Sequence, residues 1–302
     1  MTSAAWTALD ARVLRSWPLP ALPHDADKEA RGRVLIAGGS REIGGAVQLA
    51  AVAALRAGAG KLVIATAREA ALPLAQAVPE ARVIAVDDSE SGALRTGPNG
   101  SLEHAAQGLS AALIGPGMMD APGSSRFVLD LLRSARDVPV VLDAAAMEVV
   151  RGMRRFEQPV LLTPHAGEMA HLLEISKEEV AREPARIAVE AARRWNAVVA
   201  LKGATTWIAT PQGPAWRHDG GDPGLATSGS GDVLAGLITG FAARHAPLEQ
   251  ACAWGVVLHA LAGRALARSL GPLGFLAREL PGRVPSLLKK IERPLRGAPM
   301  AG

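Results

Sequence analysis

The segment ATSGSGDVLAG, residues 226–236, holds the residues best suited to chemistry on a phosphate. Gly229, Ser230 and Gly231 precede a stretch in which Leu234, Leu237, Ile238 and Phe241 recur at helical spacing. Glycines let the backbone approach an anion closely, and a helix start offers free N–H groups at the positive end of its dipole. Asp232 falls in the first turn beside that anion hole, where a carboxylate could take a proton from an alcohol attacking a phosphate. An acidic residue in a first turn also stabilises the helix dipole with no catalytic part, and the spacing alone leaves both readings open.

Three other groups have the right chemistry in ambiguous settings. His165 follows Thr163-Pro164 and precedes Gly167-Glu168. With Thr163 as cap and Pro164 in the first turn, this is an ordinary helix start, and His165 is then a surface residue. Lys202-Gly203-Ala204-Thr205-Thr206 reads as a hairpin turn as readily as a binding loop. Asp143, at a strand end, would orient a metal-bound water or cap the next helix. No G-x-x-x-x-G-K-[ST] occurs, which argues against a P-loop. GGSREIGGA (38–46) is glycine-rich after a strand but lacks the G-x-G-x-x-G spacing. No acidic residue closes a following strand where it would hold a ribose, so a nicotinamide oxidoreductase is disfavoured.

The elements that must carry these residues alternate along the chain. Strands are expected at RVLIAGG (33–39), KLVIAT (61–66), RVIAV (82–86), AALIGPG (111–117), VPVVLDA (138–144), PVLLTPH (159–165) and AVVALKG (197–203). TTWIAT (205–210) reads as a hairpin partner. Helices are expected over Ala46–Ala57, Ser124–Leu132, Gly167–Leu173, Glu183–Trp195, about Asp232–Arg244 and about Leu248–Ser269. The strands are continuous apolar runs, the mark of a parallel sheet covered on both faces. Residues 1–30 read as an N-terminal arm and 31–302 as one doubly wound α/β domain. In such a sheet ligands bind beyond the carboxyl ends of the strands. Those ends carry Gly38-Gly39-Ser40, Gly115-Pro116-Gly117, Asp143, Thr163-Pro164-His165 and Lys202-Gly203-Ala204-Thr205, all converging on one edge.

Composition narrows the field. The 302 residues are 49% hydrophobic and 21% charged, enough for one large core. The net charge of +4 is spread along the chain, with a basic run only from Lys289-Lys290 to Arg296, and aromatic residues make up 3%. Neither a phosphate-tracking groove nor a base-stacking platform is indicated, so no nucleic-acid partner is expected. The one cysteine, Cys252, sits in an apolar run and reads as a buried, inert thiol in a reducing compartment. Asp10, Arg12 and Arg15 interrupt the N-terminus, which does not read as a secretory signal, and no apolar run is long enough to span a membrane. A cytoplasmic enzyme is expected.

In order, the chain carries GGSREIGGAVQLAAVAALRAGAGKLVIAT, IGPGM, LDAAAM, LLTPHAGEMAHLL, VALKGATT and GLATSGSGDVLAGLITG. Over about residues 30 to 290 this resembles the ADP/ATP-dependent NAD(P)H-hydrate dehydratase family of the ribokinase-like superfamily. The six motifs in this order are specific; Ser-Gly-Ser-Gly-Asp alone points only to the superfamily, and GPLGFLARELPGRVPSLL resembles the family's ending. The resemblance implies a ribokinase-like three-layer fold, a mostly parallel central sheet with helices on both faces. It implies that Ala46, Gly117 and His165 contact the hydrated nicotinamide nucleotide. It implies that Lys202, Gly203, Ala204, Thr205, Thr206 and Gly231, with Gly229 in the anion hole, bind the adenine nucleotide. Asp232 would act at the reacting hydroxyl.

The implied activity is a lyase reaction of metabolite repair: dehydration of the S-form of hydrated NADH or NADPH, by phosphorylation of the hydrate hydroxyl and loss of phosphate. ADP or ATP is the implied co-substrate, with Mg²⁺ on its phosphates, since the sequence has no metal cage of its own. Both nucleotides share the adenosine contacts, so the choice stays open; the Ala-rich single-domain form favours ADP. A homotetramer is implied. Bifunctional relatives carry an N-terminal epimerase domain, which thirty residues cannot hold, so epimerase activity is not expected. Two departures stand out: Met118-Met119 where many relatives read Leu-Gly, and Ser228-Gly229-Ser230 where relatives often read Gly-Gly-Thr. The competing readings are a vitamin or sugar-alcohol kinase of the same superfamily and a non-catalytic nucleotide-binding regulator.

Overall fold

The computed structural model describes residues 6–23, 25–95, 102, 106–119 and 123–292. Its strands are β1 (Thr7–Ala8), β2 (Arg33–Ala37), β3 (Lys61–Ala67), β4 (Ala81–Asp88), β5 (Leu94–Arg95), β6 (Ala111–Ile114), β7 (Val140–Leu142), β8 (Val160–Leu162), β9 (Val198–Leu201), β10 (Thr206–Ala209) and β11 (Ala215–His218). They form one eleven-stranded sheet in the order β1-β11-β10-β9-β8-β7-β6-β2-β3-β4-β5. From β9 across to β4 every pair is parallel. The hairpin β9–β10–β11 and the short β5 add antiparallel edges. The expected mostly parallel sheet is observed, and each expected strand lies within three residues of its observed bounds, the largest differences being at 111–117 and 159–165, whose last three residues fall in loops. The continuous apolar runs are buried because helices cover both faces.

The helices are α1 (Ala11–Ser16), α2 (Gly45–Ala57), α3 (Arg68–Ala77), α4 (Ser124–Ser134), α5 (Ala166–Leu173), α6 (Lys177–Arg182), α7 (Pro184–Trp195), α8 (Ser230–Ala243), α9 (Leu248–Leu270) and α10 (Leu280–Glu292). Short 3₁₀ turns follow Asp143 and Asp222. Two apolar clusters, one on each face of the sheet, make the core. Helices α2, α8 and α9 lie on one face, with Cys252 fully buried in α9, where burial and then the Glu249 charge push its thiol far above the usual range. No helix among the described residues is long and apolar enough to cross a membrane.

The described part of the N-terminal arm is tied to the sheet. Strand β1 pairs in parallel with β11, and the Leu9 amide donates to the Arg217 carbonyl at 2.7 Å. Leu14 is fully buried, Trp17 stacks on Trp216 at 5.2 Å, and the Trp17 carbonyl accepts from the Trp254 indole at 3.0 Å. Residues 1–5 and 24 of the arm lie outside the described residues, as do 293–296 of the basic run and 120–122 beyond Met119.

Helices α2 and α8 approach until backbone meets backbone. A Cβ on Gly236 would stand 2.2 Å from the Ala50 carbonyl oxygen, and one on Gly240 2.5 Å from that of Ala54. Any side chain at either position must push the helices apart. Gly236→Ala is therefore expected to destabilise the fold by about 1–3 kcal/mol, the usual range for overpacking. The control is Gly282 in α10, where a Cβ meets nothing within 4 Å. Gly282→Ala should stabilise by about 0.5–1 kcal/mol through lost chain entropy. Thermal melts of both variants check this, and a Gly236→Ala protein melting with the parent would refute the packing account.

Candidate functional site

The carboxyl ends of five neighbouring parallel strands, β2, β6, β7, β8 and β9, meet at one edge, and their loops are stitched to each other. The Gly39 amide donates to the Pro116 carbonyl at 2.7 Å, and the Lys202 amide to that of Pro164 at 2.8 Å. His165 and Lys202 form an isolated parallel bridge. Beside this edge opens a cavity of about 710 Å³. Its walls include His165, Lys202, Gly203, Ala204 and Thr206 on one side and Ser230 and Gly231 on another. Leu225, Leu234, Val256 and Ala260 supply an apolar lining. The volume and the mix of apolar wall with a few polar groups suit a nucleotide.

Helix α8 begins at this cavity. Its N-cap is Gly229, in the left-handed region at φ 88°, so no capping side chain covers the first-turn amides. Lys202 Nζ lies 3.5 Å from where a Gly231 Cβ would be, so the ammonium reaches the same helix start. Amides, dipole and ammonium together make a place for phosphate.

Lys202 sits among three carboxylates. Its Nζ is 3.2 Å from Asp143 and 3.9 Å from Glu168, and the Asp232 charge acts on it as well. Burial pulls its pKa down, but the Asp143, Glu168 and Asp232 charges outweigh that and hold it above the usual lysine value. Asp232 is shifted upward as well. Burial, then the Asp143 charge, push its carboxyl up to about 6, against the opposing pull of Lys202. A carboxylate poised near neutrality beside a phosphate site is suited to general-base work.

Two sequence expectations are corrected here. Thr163 does not cap α5, and Pro164 precedes the helix. The cap is His165, whose Nδ1 accepts from the Gly167 and Glu168 amides at 3.0 and 3.1 Å while Glu168 accepts from the His165 amide at 2.7 Å. An imidazole nitrogen reaches the first-turn amides, and the Thr163 hydroxyl donates to Asp143 instead. Asp143 stands before a 3₁₀ turn but makes no side-chain cap bond; its carboxylate is held by Lys202 and Thr163.

The remaining expected residues divide. Ala46, at the start of α2, touches Gly117: a Cβ on Gly117 would lie 3.1 Å from the Ala46 Cβ and 2.2 Å from the Ile43 carbonyl oxygen. This pair lies outside the walls of the large cavity. Thr205 is also outside those walls, its hydroxyl donating to Asp219 at 2.9 Å, and a Cβ on Gly229 would strike Leu49 of α2. Sequence reading missed Glu168 as a partner of Lys202, although its place three residues after His165 is the capping-box spacing. It also missed the buried pair Ser230–His259, whose Oγ and Nε2 are 3.1 Å apart.

A family model described as NAD(P)H-hydrate dehydratase matches residues 34–285. The chain is 47% identical to a Xanthomonas campestris pv. campestris protein named ADP-dependent (S)-NAD(P)H-hydrate dehydratase, over 97% of this chain and 100% of that one. It spans about half the length of the bifunctional NAD(P)H-hydrate repair enzymes it also matches. Among solved structures, an Enterococcus faecalis ribokinase-like superfamily protein superposes with a TM-score of 0.82 at 27% identity, covering 96% of this chain and 97% of that one. The ADP/ATP-dependent NAD(P)H-hydrate dehydratase of Bacillus subtilis, co-crystallized with ATP/Mg²⁺, gives 0.81 at 29% identity, covering 95% and 99%. The ribokinase-like fold expected from the motifs is thus observed.

The capping role of His165 is separable from any contact it makes in the cavity. His165→Ala loses both bonds to the first-turn amides and should cost about 0.5–2 kcal/mol, whereas His165→Asn supplies a preferred capping oxygen and should keep most of that stability. Melting temperatures of the two variants beside the parent decide it; three equal values would show that the cap contributes nothing.

Proposed function

The chain belongs to the NAD(P)H-hydrate dehydratase family, and from that premise we propose that it restores hydrated NADH and NADPH, in the S-form, by ADP-dependent dehydration. The observation that carries the reading is Asp232: a half-buried carboxylate pushed up to about 6, in the first turn of α8 two residues after Ser230 and within the field of Lys202. The hydrate is an alcohol with a poor leaving group. Asp232 takes its proton as the oxygen attacks the terminal phosphorus, so an O–P bond forms and the phosphoanhydride bond breaks, releasing AMP. The Gly231 amide and the Lys202 ammonium hold the charge that develops on the transferring group. The ring nitrogen lone pair then expels phosphate, and loss of a ring proton restores the double bond.

His165, Ala46 and Gly117 are assigned to the hydrate, and Lys202 to Thr206 with Gly229 and Gly231 to the nucleotide. The contact between Ala46 and Gly117 supports the hydrate side and the cavity shared by Lys202, Gly203, Ala204, Thr206 and Gly231 the nucleotide side; His165 lines that same cavity, which puts it where the two ligands would meet. Mg²⁺ would be carried by the nucleotide phosphates, since among the described residues no group of three His, Cys, Asp or Glu side chains could hold a metal ion. Bound there, Mg²⁺ would neutralise charge on the phosphate oxygens. The same reading takes ADP over ATP and a cytoplasmic homotetramer with no nucleic-acid or membrane partner.

The direct test is incubation of NADH hydrate with ADP or ATP while the NADH absorbance returns. Recovery faster with ADP, with one phosphate released per turnover, is the expected result. No dependence on nucleotide would overturn the enzyme reading, a stable phosphorylated product would replace it with a kinase, and equal use of ATP would remove only the ADP preference. His165→Asn, which keeps the helix cap, should raise KM for the hydrate.

Asp232→Asn should lose about two orders of magnitude or more in kcat, the range of a general base. It should still bind ADP. In the parent, kcat/KM should fall as pH drops below about 6, because the base is lost on protonation. The stability change has its own sign. The folded pKa lies above the ordinary aspartate value of 3.8, so ionised Asp232 disfavours folding above about 6, and that penalty fades as pH falls towards 3.8. Asp232→Asn should therefore melt no lower than the parent at neutral pH and lose any advantage near pH ~4. A kcat within a few-fold of the parent would exclude Asp232 as the base.

A further inference from the structure

Ser230 is the first residue of α8, and His259 lies in the middle of α9. Both are buried, both line the large cavity, and their Oγ and Nε2 atoms are 3.1 Å apart. Either atom of such a pair is able to donate, so by itself the bond has two directions. A charged phosphate oxygen removes the choice, because it only accepts. If the hydroxyl gives its single proton to phosphate, the bond to His259 must be donated by the imidazole. A neutral imidazole has one N–H, so the proton has to sit on Nε2.

We infer that His259 is a positioning residue for the nucleotide, fixing the Ser230 hydroxyl as a hydrogen-bond donor to a phosphate oxygen at the start of α8. The inference rests on the nucleotide reading of the cavity given above. Burial keeps His259 neutral, pushed down to about 4, with the Lys202 charge adding to the shift and the Ser230 backbone opposing it. The ring therefore carries one N–H throughout the neutral range, and the direction of the bond does not switch with pH. Ser230 thus adds a side-chain donor to the backbone amides of the anion site, aimed by a residue from a different helix. A bond serving only to tie α8 to α9 would be indifferent to whether the cavity holds phosphate.

That difference is measurable by calorimetric titration of ADP and of adenosine into the full chain, using the parent, Ser230→Ala, His259→Leu, the double variant and His259→Gln. Each single truncation should weaken ADP about tenfold or more, as expected for a lost hydrogen bond to a charged group. The double variant should be no weaker than the weaker single one, because both remove the same bond. Adenosine, which lacks phosphate, should bind all of them alike. His259→Gln, whose amide N–H reaches the Nε2 position, should stay within a few-fold of the parent for ADP. Additive losses, a parallel loss for adenosine, a Gln variant as weak as the Leu variant, or a Ser230→Ala protein with parental ADP affinity would each overturn the inference. Ser230→Ala and His259→Gln are mild changes that carry the test should His259→Leu not fold. A parent that binds no ADP would overturn the functional reading along with this one, whereas parental ADP affinity in Ser230→Ala overturns only this one.

Discussion

Helix α2 rests on helix α8 with no side chain between them at Gly236 and Gly240, and the geometry of the sheet edge follows from that contact. Helices packed through leucines sit about 8–10 Å apart. Here the buried residues of α2 are almost all alanine, and the facing residues of α8 are glycine. The contacts run from Leu49 against Gly229 to Ala54 against Gly240, so the two helices point the same way and start at the same end. Their N-termini therefore open together onto the carboxyl ends of the strands. One start places Ala46 against Gly117; the other presents Ser230, Gly231 and Asp232 to the neighbourhood of Lys202. The glycines of α8 cost helix propensity, the alanines of α2 do not, and the close approach of two dipole ends is what both make possible.

The charges at that edge are interdependent. Lys202 is held by Asp143, which is itself held by Thr163, while Glu168 is shared between Lys202 and the cap of α5. Removing one member would leave another buried and unpaired, which is more costly than the pair is stabilising. The same arrangement sets the basicity of Asp232. Burial and Asp143 raise its pKa, Lys202 lowers it, and the balance falls near neutrality. A site with the lysine alone would hold a weak base, and one with the carboxylates alone would repel phosphate. On the proposed reading, phosphate attraction and general-base strength are thus set by one cluster.

Much of this was legible in the sequence for identifiable reasons. Parallel strands buried on both faces have no polar face to interrupt them, so β2, β3, β6 and β9 stand out as unbroken apolar runs. Loops at their carboxyl ends need glycine and polar residues, which marked the edge. Helix α3 was not visible, because Pro73 lies inside it and Leu74 is its one buried residue. Strands β1, β5 and β11 are short and lie at or near the edges of the sheet, where pairing rather than pattern defines them. Within the site, Gly231 and Asp232 were legible from their place before a helical period. His165 was legible as a helix-start residue, but its ring as the cap was not, since Thr163 is the commoner capping type. His259 gave no signal: one histidine in a 23-residue helix of mostly buried positions has no spacing to Ser230 that a sequence displays.

Phosphorylation of an alcohol is the first half of the proposed reaction and the whole of a kinase's. On the proposed reading the start of α8, with its amides, its neighbouring lysine and its carboxylate, would receive a phosphate and deprotonate an alcohol whichever alcohol is bound. Nothing in that cluster decides what happens to the phosphate ester once it exists. On a hydrated dihydropyridine ring the ester sits beside a nitrogen whose lone pair expels it; on a simple alcohol it has no such help and stays. The protein's choice between dehydration and phosphorylation is therefore made by which alcohol it admits. On the same reading that choice falls to the other helix start, where Ala46 closes against Gly117 and a Cβ on Gly117 would meet the Ile43 carbonyl. Selectivity for the reaction would then lie in those contacts between small residues, away from the groups proposed to do the chemistry.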